Sequence, residues 1–430
     1  MSATHVDDTQ IQAQSLEAEM AALGSAAREA ARVLAVAPAD VRRAALNAAA
    51  AAIRVRAADI LNANGKDMAA AEEARLSGSM LDRLRLDDGR IESMAAGIEE
   101  VATLDDPVGR VLDVRDRPNG LHIERVAVPI GVIAIIYESR PNVTADAGAL
   151  CLMSANVAVL RGGSESFHSS RAIVACLHDG LASAGLPQGC IQLVPTTDRA
   201  AVGLLVRMED DIDLVVPRGG RSLIERLMNE SRIPVLAHLD GICHTYVHAA
   251  AAPDMARDVV LNAKMRRTGI CGATETLLID AAVVDTLPGI VTPLIDAGCE
   301  VRGDAAAQAA DSRIGEAEEA DWGTEYLEAI ISVRVVSGLD AAIDHINRYG
   351  SHHTESIITA DDAAAGRFMA EVDSGIVMHN TSTQFADGGQ FGMGAEIGIS
   401  TGKLHARGPV GVEQLTTYKY KVSGNGQVRP

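Results

Sequence analysis

VAVLRGGSESFHSSRAIVACLHDGLASAGLPQGCIQLV, residues 157–194, begins with an apolar run at Val157–Leu160 and breaks at Arg161–Gly162–Gly163. It then passes through a helical stretch at Ser169–Ala184 and ends in a second apolar run, Ile191–Val194. Strand, glycine turn, helix and strand in that order are the repeating unit of an α/β protein with a largely parallel sheet. Further short apolar runs flank this unit at Val132–Ile136, Leu214–Val216, Val235–His238 and Thr245–Val247, with a helical stretch at Arg199–Met208. A second series follows Cys271: strands at Thr276–Ile279, Ala329–Val336 and Glu355–Thr359, and helical stretches at Val283–Ala297, Ala341–Asn347 and Ala363–Val372. Neither series contains GxGxxG, so the usual dinucleotide fingerprint is missing.

The first hundred residues differ. They are rich in Ala, Glu, Arg and Leu, and apolar residues recur at helical spacing, as at Val41, Ala44, Leu46, Ala49 and Ile53. Pro38, Asn64–Gly65 and Ser77–Gly78 punctuate the helices. Val111–Arg117 and Leu121–Val128 are β-rich and meet at Pro118–Asn119–Gly120, a hairpin signal. Such a protruding hairpin suits an oligomer contact, because exposed strand edges usually need a partner. The Gly-rich polar stretch from Asn380 to Gly411 reads as a functional loop.

At 430 residues the chain exceeds a single ordinary core, and 47% hydrophobic with 22% charged residues is the composition of a folded protein. A formal net charge of −20 argues against non-specific attraction to nucleic acid or an anionic membrane. Any phosphate must therefore be held by local basic residues or backbone N–H groups. The six cysteines match neither a zinc pattern nor a disulfide framework and read as free thiols. The polar opening MSATHVDDTQIQAQ lacks the apolar run of a secretory signal, and the longest apolar stretch, Val126–Tyr137, is too short to span a bilayer. A cytoplasmic protein is the expectation.

Chemistry concentrates in a few segments. In NAKMRRTGICGATETLLI, residues 262–279, Cys271 stands between Gly269–Ile270 and Gly272. Small neighbours let a substrate approach the sulfur, and Arg266 and Arg267 favour a thiolate. The residues alone leave two readings open, a nucleophile or a packed, inert thiol. VLRGGSES places Arg161, Gly162, Ser164 and Glu165 between a strand and a helix, either a turn suited to a phosphate or a ribose or an ordinary strand-to-helix turn with a surface Arg. VVPRGGRSLIERL repeats the arrangement with Pro217, Arg218, Gly219 and Gly220. Two such turns at the carboxyl ends of strands in one sheet match where open α/β sheets bind ligands. YESRPNVTADAG carries Arg140, Asn142 and Thr144; Asn142 is either an oxyanion donor or a helix-start residue. Among twelve histidines the His352–His353 pair invites a metal reading, but neighbours do not share a face, and it reads as a polar turn. No metal site is expected. The acidic run Glu316–Asp321 reads as a solvated loop.

Taken together, VPIGVIAIIYESRPNV, AGLPQGCIQLV, HLDGICHTYV, NAKMRRTGICGATETLLI, WGTEYL and DGGQFGMGAEIGISTGKLHARGPVG resemble the aldehyde dehydrogenase superfamily, in its order and over nearly the whole chain. Within it they most resemble the branch that reduces an acyl phosphate. The resemblance implies two Rossmann-like α/β domains plus a hairpin-and-tail oligomerisation element. The corresponding boundaries are 1–110 and 129–248 for cofactor binding, 249–379 for catalysis, and 111–128 with 380–430 for oligomerisation.

It also implies reduction of L-glutamate 5-phosphate to L-glutamate 5-semialdehyde by NADPH through a Cys271 thioester, as a step of proline biosynthesis. Arg161 stands where relatives commonly have a Lys on the adenosine ribose, and an Arg there suits a 2′-phosphate. The 217–221 turn matches the cofactor-phosphate loop, and Glu325 matches the Glu that holds the nicotinamide ribose. Arg140, Ser382, His405 and Arg407 are candidates for the substrate's anionic groups. A homo-oligomer and a transient contact with the upstream glutamate kinase are the implied partners. The alternative is a hydrolytic or CoA-acylating aldehyde dehydrogenase. HLDGI puts His238 where hydrolytic members carry their water-activating Glu, which fits exchange with phosphate instead.

Overall fold

The run Val132–Tyr137 is buried at all six positions, as a strand must be when both faces of its sheet are covered. In the computed structural model, which describes residues 8–429, it lies inside a four-stranded parallel sheet. The order across that sheet is Ile191–Leu193, Val157–Gly162, Val132–Tyr137 and Leu214–Arg218. Val132–Tyr137 is followed in sequence by its neighbour on one side, and the chain later returns to its other side. That reversal creates a switch point at the carboxyl ends of Val132–Tyr137 and Leu214–Arg218.

This sheet belongs to the first of two compact units, which runs to Leu236 and takes back Met393–Gly398 and the chain from Val410 onward. Helices Asn142–Met153 and Phe167–Ser183 pack on the sheet, and Ala39–Val55 packs on Phe167–Ser183 and Asn142–Met153. The buried stripe of Ala39–Val55 is Ala45, Leu46, Ala49, Ala50 and Ile53, displaced from the expected one, since Ala44 faces solvent. A Cβ on Gly180 would stand 2.4 Å from the Ala45 carbonyl oxygen and 2.7 Å from the Ala49 nitrogen. Only glycine lets these two helix backbones come so close. Asn64–Gly65, expected as a break, lies inside helix Ala57–Glu73. The Asn64 side chain leaves its own backbone alone: Nδ2 donates to the Leu84 carbonyl at 2.9 Å and Oδ1 accepts from the Leu86 N–H at 2.8 Å.

The hairpin forms as expected, Val111–Asp116 against His122–Pro129. Thr416–Ser423 pairs antiparallel with the other side of His122–Pro129, making a three-stranded sheet. Val111, Leu112, Val114, Tyr418, Tyr420 and Val422 on its outer strands are exposed.

The second unit comprises Ala237–Gly392 and Ile399–Pro409. Its seven-stranded sheet runs, in spatial order, Gly315–Glu316, Glu300–Gly303, Ile330–Val336, Thr274–Asp280, Cys243–Val247, Thr354–Ile358 and Ile376–His379. All six pairings are parallel. Leu277, Ile279, Val247 and Ile358 join one core, while Leu278, Tyr246 and Ile357 join another. Successive residues of a strand point to opposite faces, so apolar layers cover both sides.

Three expectations change here. Thr245–Val247 belongs to this second sheet, because alternation of strands and helices does not say which sheet a strand joins. Val235–His238 makes only an isolated bridge, Val235 to Val215, before the chain passes to the second unit. Asp321 is buried rather than solvated, accepting from the Glu318 N–H at 2.7 Å, Tyr326 Oη at 2.8 Å and Arg302 at 3.0 Å. The Asn380–Gly411 stretch divides between the two units, with a short antiparallel pair, Ile399–Ser400 and Gly408–Pro409. Among the described residues, no helix is long and apolar enough to cross a membrane.

Candidate active site

Five of the six cysteines are buried, and Cys271 alone is partly exposed. Burial pushes Cys176 and Cys299 up to about 11 and Cys190 to about 12, and raises Cys151 and Cys243 further. Such thiols stay protonated and inert at neutral pH. Cys271 sits in the turn between helix Pro253–Met265 and strand Thr274–Asp280, against Ile376, Met378, Ala386 and Ile399.

The turn is braced from several directions. The Cys243 thiol donates to the Cys271 carbonyl at 3.0 Å. A Cβ on Gly241 would fall 2.2 Å from that same carbonyl oxygen, so position 241 admits no side chain without moving Cys271. The Gly241 N–H in turn donates to Glu325 Oε1 at 3.0 Å. Burial raises the Glu325 carboxyl above its ordinary value, partly opposed by that hydrogen bond. Arg266, expected to act on the thiol, donates to Gln384 Oε1 at 3.3 Å. Gln384 Nε2 donates to the Ala263 and Arg267 carbonyls at 2.9 and 3.2 Å, tying the 382–386 segment to the end of the helix before Cys271. Ser382 is buried at the start of that segment, its hydroxyl accepting from the Gln384 N–H at 3.3 Å.

Two histidines meet the thiol. One ring nitrogen each of His238 and His353 lies with the Cys271 sulfur inside a group no more than 4.8 Å across. The rings stand edge to face with centroids 4.8 Å apart. His238 Nδ1 donates to the Ile399 carbonyl at 2.7 Å, and His353 Nδ1 lies 2.9 Å from Thr354 Oγ1. Sequence reasoning passed over His353 because it judged the His352–His353 pair as one feature. His352 turns the chain with φ +62°, and His353 goes inside as the strand begins. The signal was its position directly before the apolar-flanked strand at Thr354–Ile358.

His405 is exposed in the 401–407 loop. Arg407 Nη1 bonds Asp373 Oδ1 at 2.7 Å, and Lys403 Nζ bonds Asp373 Oδ2 at 2.5 Å. These two cations hold the Asp373 carboxyl down to about 2.

In the first unit, the expected ligand residues gather at the carboxyl ends of three adjacent parallel strands. Arg161 is buried at the end of Val157–Gly162; its Nη2 donates to the Thr197 carbonyl at 3.0 Å, and its Nε has no hydrogen-bond partner. Glu165 Oε1 accepts from the Ser139 N–H and hydroxyl at 2.7 and 2.8 Å, which holds Ser139 at φ +44°. Ser164 opens a single 3₁₀ turn. Pro217 and Arg218 close strand Leu214–Arg218, and Gly219–Gly220 lead into helix Arg221–Glu230. There the Gly220 N–H donates to Glu138 Oε2 at 3.0 Å, so a carboxylate already marks the anion-favouring helix start. Arg140 and Asn142 follow strand Val132–Tyr137. Asn142 begins helix Asn142–Met153, and its Nδ2 donates to Asp146 at 3.0 Å. Burial pushes the Asp146 carboxyl up to about 6, with Asn142 and Arg218 opposing.

A sequence model described as "Aldehyde dehydrogenase family" matches residues 6–297. A gamma-glutamyl phosphate reductase of Paramagnetospirillum magneticum is 63% identical over 416 residues, covering 96% of this chain and 98% of its own. The chain belongs to the aldehyde dehydrogenase family, among its gamma-glutamyl phosphate reductases. The crystal structure of the Thermotoga maritima gamma-glutamyl phosphate reductase superposes with a TM-score of 0.94 at 43% identity, covering 96% of this chain and 100% of that one. An engineered glycolyl-CoA reductase with bound NADP+ shares the fold at 15% identity, with a TM-score of 0.67 over 94% of this chain and 96% of its own. The expected fold class is therefore the one found, and the chain is an oxidoreductase of a family that works with nicotinamide cofactors.

Proposed function

We propose that this reductase converts L-glutamate 5-phosphate to L-glutamate 5-semialdehyde and phosphate with NADPH, through a thioester on Cys271. The observation that carries the reading is that Cys271, alone of six cysteines, is open to a substrate, in a turn fixed by Cys243, Gly241 and Glu325. Its thiolate attacks the acyl-phosphate carbonyl and the C–O bond to phosphate breaks. His353 holds the thiol proton and returns it when the tetrahedral species collapses to aldehyde. Asn142 is the assigned oxyanion donor, as are backbone amides of the Cys271 turn. Ser382, His405, Arg407 and Arg140 are assigned to the phosphate and the α-carboxylate.

The first unit suits a phosphorylated dinucleotide. A buried guanidinium with an unsatisfied Nε stands at the end of one strand, and a Gly-Gly helix start stands at the switch point. Arg161, Gly162, Ser164 and Glu165 would hold the adenosine ribose and its 2′-phosphate. Pro217, Arg218, Gly219 and Gly220 would hold the pyrophosphate, and Glu325 the nicotinamide ribose. When bound, NADPH supplies the hydride that reduces the thioester. The exposed outer strands of the hairpin sheet, with Tyr418, Tyr420 and Val422, are the assigned homo-oligomer contact. A transient complex with the kinase that makes the unstable acyl phosphate completes the reading.

Replacing Cys271 by Ser is expected to abolish turnover, by more than about a thousandfold, while NADPH titration by fluorescence gives an unchanged affinity. A mutant that still turns over, or one that loses the cofactor, would count against this assignment.

A further inference from the structure

We propose that His238, Cys271 and His353 form a zinc site, and that Zn²⁺ bound there switches the enzyme off reversibly at its own nucleophile. The three residues each offer one ligand atom, all within 4.8 Å of one another. One thiolate and two imidazoles are a borderline-soft donor set that selects zinc over magnesium or calcium.

Two independent features point to a ligand. The first is His353. It is wholly buried and its Nε2 has no hydrogen-bond partner, an arrangement that costs about 1–3 kcal/mol unless something binds. The second is the support behind His238. Its Nδ1 donates to the Ile399 carbonyl at 2.7 Å, which fixes the tautomer and makes Nε2 the electron-pair donor. Zinc-bound histidines are held through their other nitrogen in this way. The His353 ring is likewise held through Nδ1, which lies 2.9 Å from Thr354 Oγ1 and 3.6 Å from the Cys243 sulfur.

Tetrahedral zinc, with Zn–N about 2.0–2.1 Å and Zn–S about 2.3 Å, needs ligand atoms roughly 3.3–3.6 Å apart. The group must therefore contract by up to about 1.2–1.5 Å, and the two half-buried members, His238 and Cys271, can rotate to do it. On binding, a Zn–S bond forms and the thiol proton leaves to solvent; nothing is oxidised or reduced. Three protein ligands leave the fourth position for water or phosphate. A sulfur pair held by the metal cannot attack an acyl phosphate. The inhibitory consequence rests on the reading of Cys271 as nucleophile, but the metal site does not.

The test uses the full chain freed of metal by chelator. Co²⁺ is added as a spectroscopic probe and Zn²⁺ as competitor, and iodoacetamide labelling of Cys271 is followed by peptide mass spectrometry. One equivalent of Co²⁺ is expected to give a thiolate-to-cobalt charge-transfer band that Zn²⁺ displaces. Zn²⁺ should slow labelling at least about tenfold, with full recovery on adding EDTA. His353→Ala and His238→Ala should each weaken zinc by about tenfold or more, since losing only the outer support of a ligand costs that much. His238 is half-buried, so its variant serves if His353→Ala does not fold. A wild-type protein without the band, or with labelling indifferent to zinc, overturns the site, whatever the enzyme assay shows. A band that survives both histidine variants places the metal elsewhere and overturns it equally. Absence of phosphate-dependent turnover in the metal-free enzyme, with a normal cobalt band once Co²⁺ is added, would instead remove the catalytic reading and leave the site standing.

Discussion

A Cβ built on Gly241 would lie 2.2 Å from the Cys271 carbonyl oxygen and 2.6 Å from its Cα. Both are backbone atoms that cannot swing aside. Gly241→Ala should therefore push Cys271, the proposed nucleophile, out of place rather than unfold the chain. We expect kcat/KM to fall by about a hundredfold, the usual cost of a 1 Å misplacement, with a stability loss of about 1–3 kcal/mol by urea unfolding. Unchanged turnover would show that the Cys271 turn is not held from position 241. Cys271 was legible as a candidate, because it stands between Gly269–Ile270 and Gly272 before an apolar strand, although those residues alone left a packed thiol open as well. His353 was not, because its partners lie 82 and 115 positions away in sequence. Arg266 shows the opposite failure. Its closeness to Cys271 in sequence suggested electrostatics, whereas its guanidinium goes to Gln384, a contact that only the fold creates.

Helix Leu339–Tyr349 turns His345 onto strand Ile330–Val336, where Arg334 Nη1 donates to His345 Nδ1 at 2.8 Å. An arginine only donates, so Nδ1 is the acceptor and the proton sits on Nε2. Burial, with His244 and Arg334 adding to it, pushes His345 down to about 2. Between that value and the ordinary 6.5, the unfolded chain binds a proton that the folded chain refuses. Stability must then fall as pH drops below 6.5, by about 1.4 kcal/mol per pH unit from this group. His345→Asn keeps an acceptor for Arg334 and removes the titration. Urea unfolding at pH 7, 6 and 5 should give a slope shallower by about one proton in the variant; identical slopes would mean His345 is protonated in the folded state. At this scale the sequence displayed the strands well, because buried parallel strands are continuous apolar runs. It hid their membership. Cys243–Val247 has the same apolar character as Leu214–Arg218, yet one joins the seven-stranded sheet and the other the four-stranded sheet.

Across the whole molecule, the two strand–helix series were enough to place the chain among α/β proteins, and the resemblance of its motifs supplied the finer fold class. The division of the Asn380–Gly411 stretch between the two units was not foreseeable, since a Gly-rich segment carries no periodicity to say where it returns. The same segment bears Arg407 and Lys403, both drawn to Asp373, a pairing without a sequence signature. The central claim is the proposal that a Cys271 thioester exchanges with phosphate rather than water, suggested by the resemblance that sets His238 where hydrolytic members carry a glutamate. The direct test runs the reaction backwards, following NADPH absorbance with glutamate semialdehyde and NADP+, with and without inorganic phosphate. NADPH formation is expected to depend strictly on phosphate. Formation of NADPH at the same rate in phosphate-free buffer would contradict it and make the chain a hydrolytic aldehyde dehydrogenase.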